Sequence, residues 1–279
     1  SHWGVARDVC AYLSHHQGKN YRANLPEGSM PVNDNSHPVK VRIEDTTACQ
    51  RYCGVSIKDV QVNESPEWLK KQLKAIGLRP INNIVDITNY ILHETGQPLH
   101  AFDASAIRSN EVVVKTLPAE TSFVTLDGKE IKLSAEDLMI CNGAGEAMCI
   151  GGVYGGLHSG VRESTKAIFL ESAWFHPVSI RKTSFRHGLR TDAAMRFEKN
   201  TNIDMTDRVL ARAAAMICEM AGGKIASEIV DVYPSPAPRK LISFPLAYLA
   251  RLSGKQYPVE SVKNILQNLG FAIKKETGD

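Results

Sequence analysis

Two runs of the chain concentrate side chains that can exchange protons and form hydrogen bonds. The first, residues 96–103 (GQPLHAFD), holds His100 and Asp103 beside a glycine and a proline. The second, residues 186–199 (RHGLRTDAAMRFEK), is dense in arginine, histidine and carboxylates. Neither run follows a helix or strand period, which predicts loops, and loops on a rigid scaffold often carry functional groups.

His100 is a candidate for acid–base or water-positioning chemistry. A single histidine is more often structural than catalytic. Here the flanking glycine and proline predict an irregular backbone, and Asp103 could orient a nitrogen of the imidazole ring. His100 is therefore the first candidate catalytic residue.

The run at residues 151–160 (GGVYGGLHSG) has five glycines in ten positions. Such a run is either a flexible turn or a place where backbone comes close to a ligand and aims N–H groups at an oxygen atom. It has neither the lysine and serine or threonine of a phosphate-binding P-loop nor the glycine spacing of a dinucleotide fold, which argues against nucleotide binding.

Glu171 follows an apolar run, residues 167–170 (AIFL), and is predicted to end that strand. An ionised carboxylate is costly to bury without a partner. It is therefore a strand end turned to solvent, a member of an ion pair, or a pocket carboxylate that accepts a hydrogen bond from a substrate hydroxyl.

Positive charge collects at residues 181–199, where six lysines and arginines stand against two carboxylates. The whole chain of 279 residues carries a net charge of only +3. A solvated helix face would explain this cluster, and so would a surface that faces phosphate groups.

Several classes of protein are disfavoured by what the sequence lacks. It has no HExxH motif, no Cys/His ligand quartet and no GxSxG motif, which disfavours a metal site and a serine hydrolase. Its six cysteines form no CxxC pair and are expected to be free thiols in a reducing cytosol. No apolar run reaches the length of a membrane span, and no signal peptide opens the chain. The first and last residues suggest a piece of a longer protein.

The order of predicted elements favours an α+β fold with mixed or antiparallel sheets flanked by helices. Strands cluster between residues 111 and 150 rather than alternating with helices. We expect residues 1–38 to be the tail of a preceding module plus a linker. Residues 39–235 form the main domain, and residues 236–279, after a proline-rich linker, start a further small helical or winged module.

Five motifs in unbroken order resemble the editing region of the bacterial phenylalanyl-tRNA synthetase β subunit. The resemblance spans roughly residues 40–235, and five long motifs are far more specific than any one of them. They are residues 84–90 (IVDITNY), 96–103 (GQPLHAFD), 151–156 (GGVYGG), 169–172 (FLES) and 186–193 (RHGLRTDA).

The resemblance implies an editing pocket in which the ester bond between phenylalanine tRNA and a wrongly attached tyrosine is hydrolysed. It places His100 near the ester, as a base, as an orienter of water or as a contact to the terminal ribose, and it makes Glu171 the group that reads the tyrosine phenol. The remaining implied pocket positions are the wall residues Thr191 and Ala193, the glycines Gly152 and Gly155, and the rim arginine Arg79. Such a second site is needed because an apolar pocket rejects an added hydroxyl only weakly.

The resemblance also implies partners. These are phenylalanine tRNA, with Arg186, Arg190 and Arg196 as candidate contacts, and the synthetase α subunit in a complex of two α and two β chains. It implies a cytoplasmic protein without a membrane association and without a metal or cofactor in this fragment; ATP and magnesium would serve the whole synthetase. The open alternatives are, from a different class, a non-catalytic RNA-binding or scaffold module, then a stand-alone trans-editing hydrolase of the same fold, and third a metallohydrolase.

Overall fold

Two long apolar strands run antiparallel at the centre of the sheet that carries the candidate site. In this computed structural model they are β2 (Cys49–Lys58) and β10 (Ala167–Phe175), paired from Lys58 opposite Ala167 to Cys49 opposite Phe175. β-Branched and aromatic residues are frequent in both strands, which suits a pleated and buried surface. The structure describes residues 1–25 and 32–276, so part of the predicted linker at residues 18–38 lies outside the described residues.

The sheet around these strands has the order β11–β2–β10–β3, and β12 also pairs with β2. The added strands are β3 (Leu99–Asp103), β11 (Lys224–Ile225) and β12 (Val230–Val232), all antiparallel to their neighbours. A single last strand was predicted over residues 225–233, and the structure breaks it into two short ones. Ser227 interrupts the ladder, because its side chain accepts a hydrogen bond from the Ser56 N–H of β2.

A second sheet of five strands has the order β1–β4–β7–β8–β9. Its first pair is parallel and the others are antiparallel, so the sheet is mixed. A separate hairpin of β5 (Ser122–Val124) and β6 (Glu130–Lys132) turns at the predicted Asp127-Gly128, where Gly128 has a φ of 81°. The strands of the second sheet are β1 (Lys40–Ile43), β4 (Glu111–Thr116), β7 (Leu138–Asn142), β8 (Ala147–Ile150) and β9 (Tyr154–Gly155).

The main hydrophobic core combines residues of both sheets. Because side chains alternate along a strand, Phe169, Ala173 and Phe175 of β10 share one face, and all three belong to this core together with residues of β4, β7 and β8. Helices α3 and α6 pack on each other; α6 contacts β2 and β10, and α3 contacts β3. The helices here are α2 (Glu67–Ala75), α3 (Asn83–Thr95), α4 (Pro177–Arg186), α5 (Asp192–Phe197) and α6 (Thr206–Ala221).

The helix ends follow their sequence signals with one exception. Helix α3 begins after the Asn82 side chain, which caps the Val85 N–H, and ends at Gly96 with a φ of 87°. The sequence predicts Ser65 as the cap of α2, which is wrong, since Pro66 holds that position without a side-chain cap. Ser65 instead donates a hydrogen bond to the buried Asp86 of α3.

The chain divides into two compact units, one of Pro26–Ser235 and one that combines Ser1–Leu25 with Pro236–Asp279. The second of these holds α1 (His2–Gln17), α7 (Leu246–Ser253) and α8 (Val259–Asn268), and α1 packs against α8. The strand predicted at residues 271–275 is wrong, because residues 271–276 take no regular structure. The α+β class itself is confirmed. Among helices of the described residues, none combines the length and apolar character needed to cross a membrane.

Candidate active site

His100 and Glu171 lie directly opposite each other on neighbouring antiparallel strands. The β3–β10 ladder pairs Glu171 with His100, between the pairs Leu170–Ala101 and Ser172–Leu99. Opposed residues project from the same face of a sheet with Cβ atoms about 5 Å apart. The side chains of His100 and Glu171 therefore project next to each other from the same face of the sheet. This face is turned toward the core between the two sheets.

Both predictions of local structure around this pair need correction. Residues 99–103 are predicted to be loop, but they form strand β3, because they pair with β10 along their whole length and bury Ala101 and Phe102. Glu171 was expected at the end of a strand, but β10 continues four residues beyond it to Phe175. The apolar run after Glu171 (AWF at residues 173–175) keeps the strand buried and carries it past the carboxylate.

Glu171 is a buried carboxylate with one hydrogen-bond donor. The Tyr52 hydroxyl donates to Glu171 Oε2 over 2.6 Å, and the two residues are only 0% and 5% exposed. Burial raises the pKa of Glu171 from 4.5 to about 7, although the Tyr52 hydrogen bond pulls it down. Burial also raises the pKa of Tyr52 well above its usual value, and the nearby charge of Glu171 adds to this. The Glu171 carboxyl thus changes charge near neutral pH.

His100 is held as a neutral imidazole. Its ring packs edge-on against Phe102 with centroids 4.5 Å apart, and its Nε2 is buried without a hydrogen-bond partner among the described residues. Burial lowers the pKa of His100 to about 4. An uncharged ring with a buried free nitrogen can still accept or donate one hydrogen bond to a ligand or water.

Asp103 does not orient His100, and that expectation is wrong. The two residues are three apart on a strand, so their side chains leave opposite faces. Asp103 instead accepts hydrogen bonds from the Ser105 hydroxyl and the Thr165 hydroxyl, each 2.6 Å away. These bonds outweigh the effect of burial and lower its pKa.

The glycine run at residues 151–160 joins the site from the second sheet. Gly155, in β9, faces the imidazole so closely that an added Cβ would lie 3.2 Å from His100 Cε1. Gly152, with a φ of 67°, packs instead against Phe175 and Phe197, where an added Cβ would lie 2.7 and 2.9 Å from ring carbons. Gly155 is therefore a neighbour of His100, whereas Gly152 belongs to the packing of the turn.

Thr191 and Ala193 flank the same turn from helix α5. The Thr191 hydroxyl donates to the Val153 carbonyl over 2.9 Å and, as the N-cap of α5, accepts from the Ala194 N–H. Ala193 packs on the core without being fully covered. These contacts link α5 through residue 153 to Gly155 and so to His100.

Arg79 is not drawn into this group by any contact. It is exposed in the connection between α2 and α3, and within residues 1–25 and 32–276 it has no hydrogen bond or ion pair. Its assignment to the pocket rim stays a prediction.

The basic run at residues 186–199 is only partly the loop that the sequence predicts: residues 187–191 are outside any helix, whereas Arg186 ends α4 and residues 192–197 form α5. Arg186 binds the carboxylates of Glu136 and the fully buried Asp137. Arg190 forms a two-bonded pair with Glu198, at 2.9 and 3.1 Å. Arg196 is the one of the three candidate contacts that has no ion pair with the acids the structure describes. Two of the three arginines are thus committed to internal partners.

The comparison with known families identifies the part of the chain that carries this arrangement. The profile of the B3/4 domain matches residues 48–222, which include His100, Glu171, Gly155 and Thr191. The chain belongs to the B3/4 domain family. The match covers strands β2 to β10 and helices α2 to α6, so the candidate site lies inside the B3/4 domain.

Curated relatives of the chain carry the name phenylalanine–tRNA ligase β subunit. The protein of that name from Bacteroides fragilis is 51% identical over 280 residues, which is 100% of this chain and 34% of the relative. The one from Porphyromonas gingivalis is 50% identical over 99% of this chain and 34% of its own length. The chain thus spans about a third of these relatives, and the resemblance drawn from the five motifs is confirmed.

A solved structure also aligns with the chain. It is an N-terminal fragment of the phenylalanyl-tRNA synthetase β subunit from Pyrococcus horikoshii, with a TM-score of 0.45 and 13% identity. The alignment covers 90% of this chain and 70% of that one.

Three contributors to the site were missed from the sequence. Tyr52 supplies the hydrogen bond to Glu171, Gly54 lies opposite Glu171 on β2, and the Phe169 ring fills the space above that glycine. The sequence predicts strands at β2 and β10, but it does not predict the register in which the two strands pair. No group of three or more His, Cys, Asp or Glu side chains suited to a metal ion occurs in the described part of the chain.

Proposed function

We propose that this chain is the editing part of a phenylalanine–tRNA ligase β subunit and hydrolyses tyrosyl-tRNA(Phe). The observation that carries the proposal is the pair of Glu171 and His100, opposed on one buried face. The pKa of each group is displaced by burial, to about 7 and about 4. Shifted ionisable groups brought together in this way are typical of a functional site. The reaction itself is the one that the resemblance of the five motifs implies.

In this proposal Glu171 recognises the tyrosine side chain. A buried carboxylate gains a charge-assisted hydrogen bond when a phenol enters and donates to it. Phenylalanine has no hydroxyl, so its entry leaves the carboxylate desolvated and without that bond. The site therefore favours the amino acid that the synthetic pocket cannot reject strongly enough.

The chemistry is the attack of water on the ester carbonyl. The bond between the carbonyl carbon and the ribose oxygen breaks, and the ribose oxygen takes the proton that water gives up. His100 suits a role in positioning, because a base works best with a pKa near the working pH, and its pKa is about 4. It holds the water or the ribose by a hydrogen bond, while backbone beside Gly155 lines the position of the ester.

The proposal extends to the protein that contains this chain. Residues 39–235 are the editing domain, with Thr191, Ala193, Gly152 and Arg79 as further pocket positions and Arg186, Arg190 and Arg196 as contacts to tRNA. The β subunit assembles with the α subunit, two copies of each, in the cytoplasm. ATP and magnesium serve aminoacylation in that assembly, and the hydrolytic step proposed for this domain uses neither.

The test is the deacylation of tyrosyl-tRNA(Phe) and phenylalanyl-tRNA(Phe) by a synthetase complex that contains this chain. We expect Glu171→Ala to lower kcat/KM for the tyrosyl substrate by about 10- to 100-fold, as the loss of one charged hydrogen bond would. His100→Ala should lower kcat by about 100-fold through lost positioning. Glu163→Ala and His158→Ala, on exposed side chains of the same region, are the matched controls and should leave both rates unchanged.

Equal hydrolysis by all of these variants would show that the pocket is misassigned. The absence of any hydrolysis by the native complex would favour a non-catalytic RNA-binding scaffold. Full activity of this chain without the rest of the β subunit and the α subunit would instead favour a trans-editing hydrolase.

A further inference from the structure

Tyr52 reaches Glu171 along a diagonal of the buried sheet face. In the β2–β10 ladder Tyr52 lies opposite Ala173, and Gly54 lies opposite Glu171. Because the residue opposite Tyr52, Ala173, is small, the phenol extends across the face until its hydroxyl is 2.6 Å from Glu171 Oε2. We propose that Tyr52 is a specificity-determining residue that holds one carboxylate oxygen of Glu171 and leaves the other for the ligand hydroxyl. This inference rests on the proposed function and deepens it.

The surroundings of Glu171 leave its carboxylate few other positions. On the β2 side the Phe169 ring occupies the space over Gly54, since an added Cβ there would lie 2.1 Å from Phe169 Cζ. On the β3 side stands His100. Tyr52 is itself fully buried and cannot turn to solvent without opening the core. Its hydrogen bond therefore fixes one orientation of the carboxylate.

Fixing one oxygen makes the site select for a hydroxyl donor. An ionised carboxylate only accepts hydrogen bonds, and once Tyr52 occupies Oε2 the next donor must come to Oε1. A tyrosine phenol is such a donor, and a phenylalanine ring is not. A protonated carboxyl could donate as well as accept, and would lose this preference. By stabilising the ionised form, Tyr52 keeps Glu171 a reader of hydroxyl groups.

The other ionisable groups around Glu171 do not compete for this role. The thiols of Cys49 on β2 and Cys149 on β8 have raised pKa values, first from burial and then from the Glu171 charge, so both stay neutral. His100 on β3 stays neutral at pH 7 because its pKa is about 4. Tyr52 is the only side chain of residues 1–25 and 32–276 that donates a hydrogen bond to Glu171.

The experiment compares Tyr52→Phe with native protein in the synthetase complex, on tyrosyl- and phenylalanyl-tRNA(Phe). We expect the ratio of the two kcat/KM values to fall by about tenfold, with most of the change on the tyrosyl substrate. A purely structural tyrosine would lower both rates together. The pH profile supplies a second reading: native activity on the tyrosyl substrate should rise as Glu171 ionises near pH 7, and this rise should move to higher pH in Tyr52→Phe.

Two further variants keep the test decisive. Tyr90→Phe, on α3, is the matched control and should change neither ratio nor profile. In a Glu171→Gln background, Tyr52→Phe should have no further effect on the ratio, because the phenol acts through Glu171. The inference is overturned if Tyr52→Phe keeps both the native ratio and the native profile, or if it changes the ratio equally without Glu171. If the native complex does not hydrolyse tyrosyl-tRNA, both the proposed function and this inference are wrong. If hydrolysis of tyrosyl-tRNA depends on Glu171 but not on Tyr52, only this inference is wrong.

Discussion

Glu171 and Asp137 are both buried carboxylates, but their surroundings shift their pKa values in opposite directions. Asp137 accepts hydrogen bonds from the Ser134 N–H and Thr183, and it pairs with Arg186 and His187. Burial would raise its pKa, but these bonds outweigh that effect and lower it. Glu171 has Tyr52 alone, and burial raises its pKa to about 7.

The difference separates a structural acid from a functional one. A carboxylate whose acceptor sites are filled by its own protein holds elements together, here the β6–β7 connection and α4. A carboxylate left with an unfilled acceptor site in a dry environment is costly to the fold, and that cost is typical of a group kept for a ligand. Arg186 contributes to the structural role of Asp137, since its guanidinium pairs with both Glu136 and Asp137.

The largest effect on stability should come from Asp137→Ala. It leaves His187 and Arg186 without their buried partner, and the loss of one member of a buried pair costs about 3–5 kcal/mol. Urea unfolding of the chain measures the change. Glu136→Ala is the control, because its pair with Arg186 is exposed and contributes little. A loss below about 1 kcal/mol for Asp137→Ala would remove the contrast with Glu171.

Glu171→Gln should stabilise the protein, and more so at pH 8 than at pH 5. The pKa of Glu171 is about 7 in the fold against 4.5 unfolded, so the native carboxyl costs almost nothing below pH 4.5, its cost grows between pH 4.5 and 7, and the cost is nearly complete at pH 8. The full shift corresponds to about 3 kcal/mol. Unfolding free energies of native protein and variant at the two pH values test this, and the same difference at both would contradict it.

Alanine substitutions of Gly152 and Gly155 should distinguish a glycine needed for packing from a glycine needed for the site. Gly152→Ala forces a side chain into the left-handed region and against Phe175, so we expect a loss of about 2–3 kcal/mol. Gly155→Ala meets only the His100 ring at 3.2 Å, so stability should hold while deacylation falls by roughly tenfold. Thermal unfolding and kcat on both variants decide the matter. Equal losses of stability would place Gly155 in the packing as well.

The smallest effect concerns the basic run. Arg196 has no described acid partner. Arg196→Ala should therefore reduce the slope of log K for tRNA binding against log salt concentration by on the order of 0.7–0.9. Arg190→Ala should change it less, because Glu198 already neutralises that guanidinium. Titrations of tRNA at several salt concentrations measure both slopes. Equal slopes for all three proteins would take the run out of the tRNA contact.

Much of the fold was predictable because its signals are local. The apolar strands and the end of α3 at Gly96 each depend on residues next to one another in the chain. The pairing of His100 with Glu171 depends on which strands become neighbours, and 71 positions separate the two residues. Their roles came from the resemblance, whereas Tyr52 was missed because a tyrosine in an apolar strand looks like ordinary core.

Predictions from charged residues were wrong where those residues have ion-pair or hydrogen-bond partners elsewhere in the fold. The charges of residues 186–199 break the helical period and predict a loop, yet residues 192–197 are helical and Asp137, Glu136 and Glu198 neutralise two of the arginines. Asp103 likewise finds other partners, because it leaves β3 on the face opposite His100 and accepts hydrogen bonds from Ser105 and Thr165. Charge in a sequence thus marks a site only when its partners are known.

The most direct test of the central claim is the affinity of the synthetase complex for non-hydrolysable amide analogues of tyrosyl- and phenylalanyl-adenosine. Calorimetry at pH 8, where Glu171 is ionised, reads the recognition step without the chemistry. The account predicts that the tyrosyl analogue binds at least about tenfold more tightly than the phenylalanyl one and that Glu171→Ala removes the difference. Equal affinities of the native complex for the two analogues would contradict it.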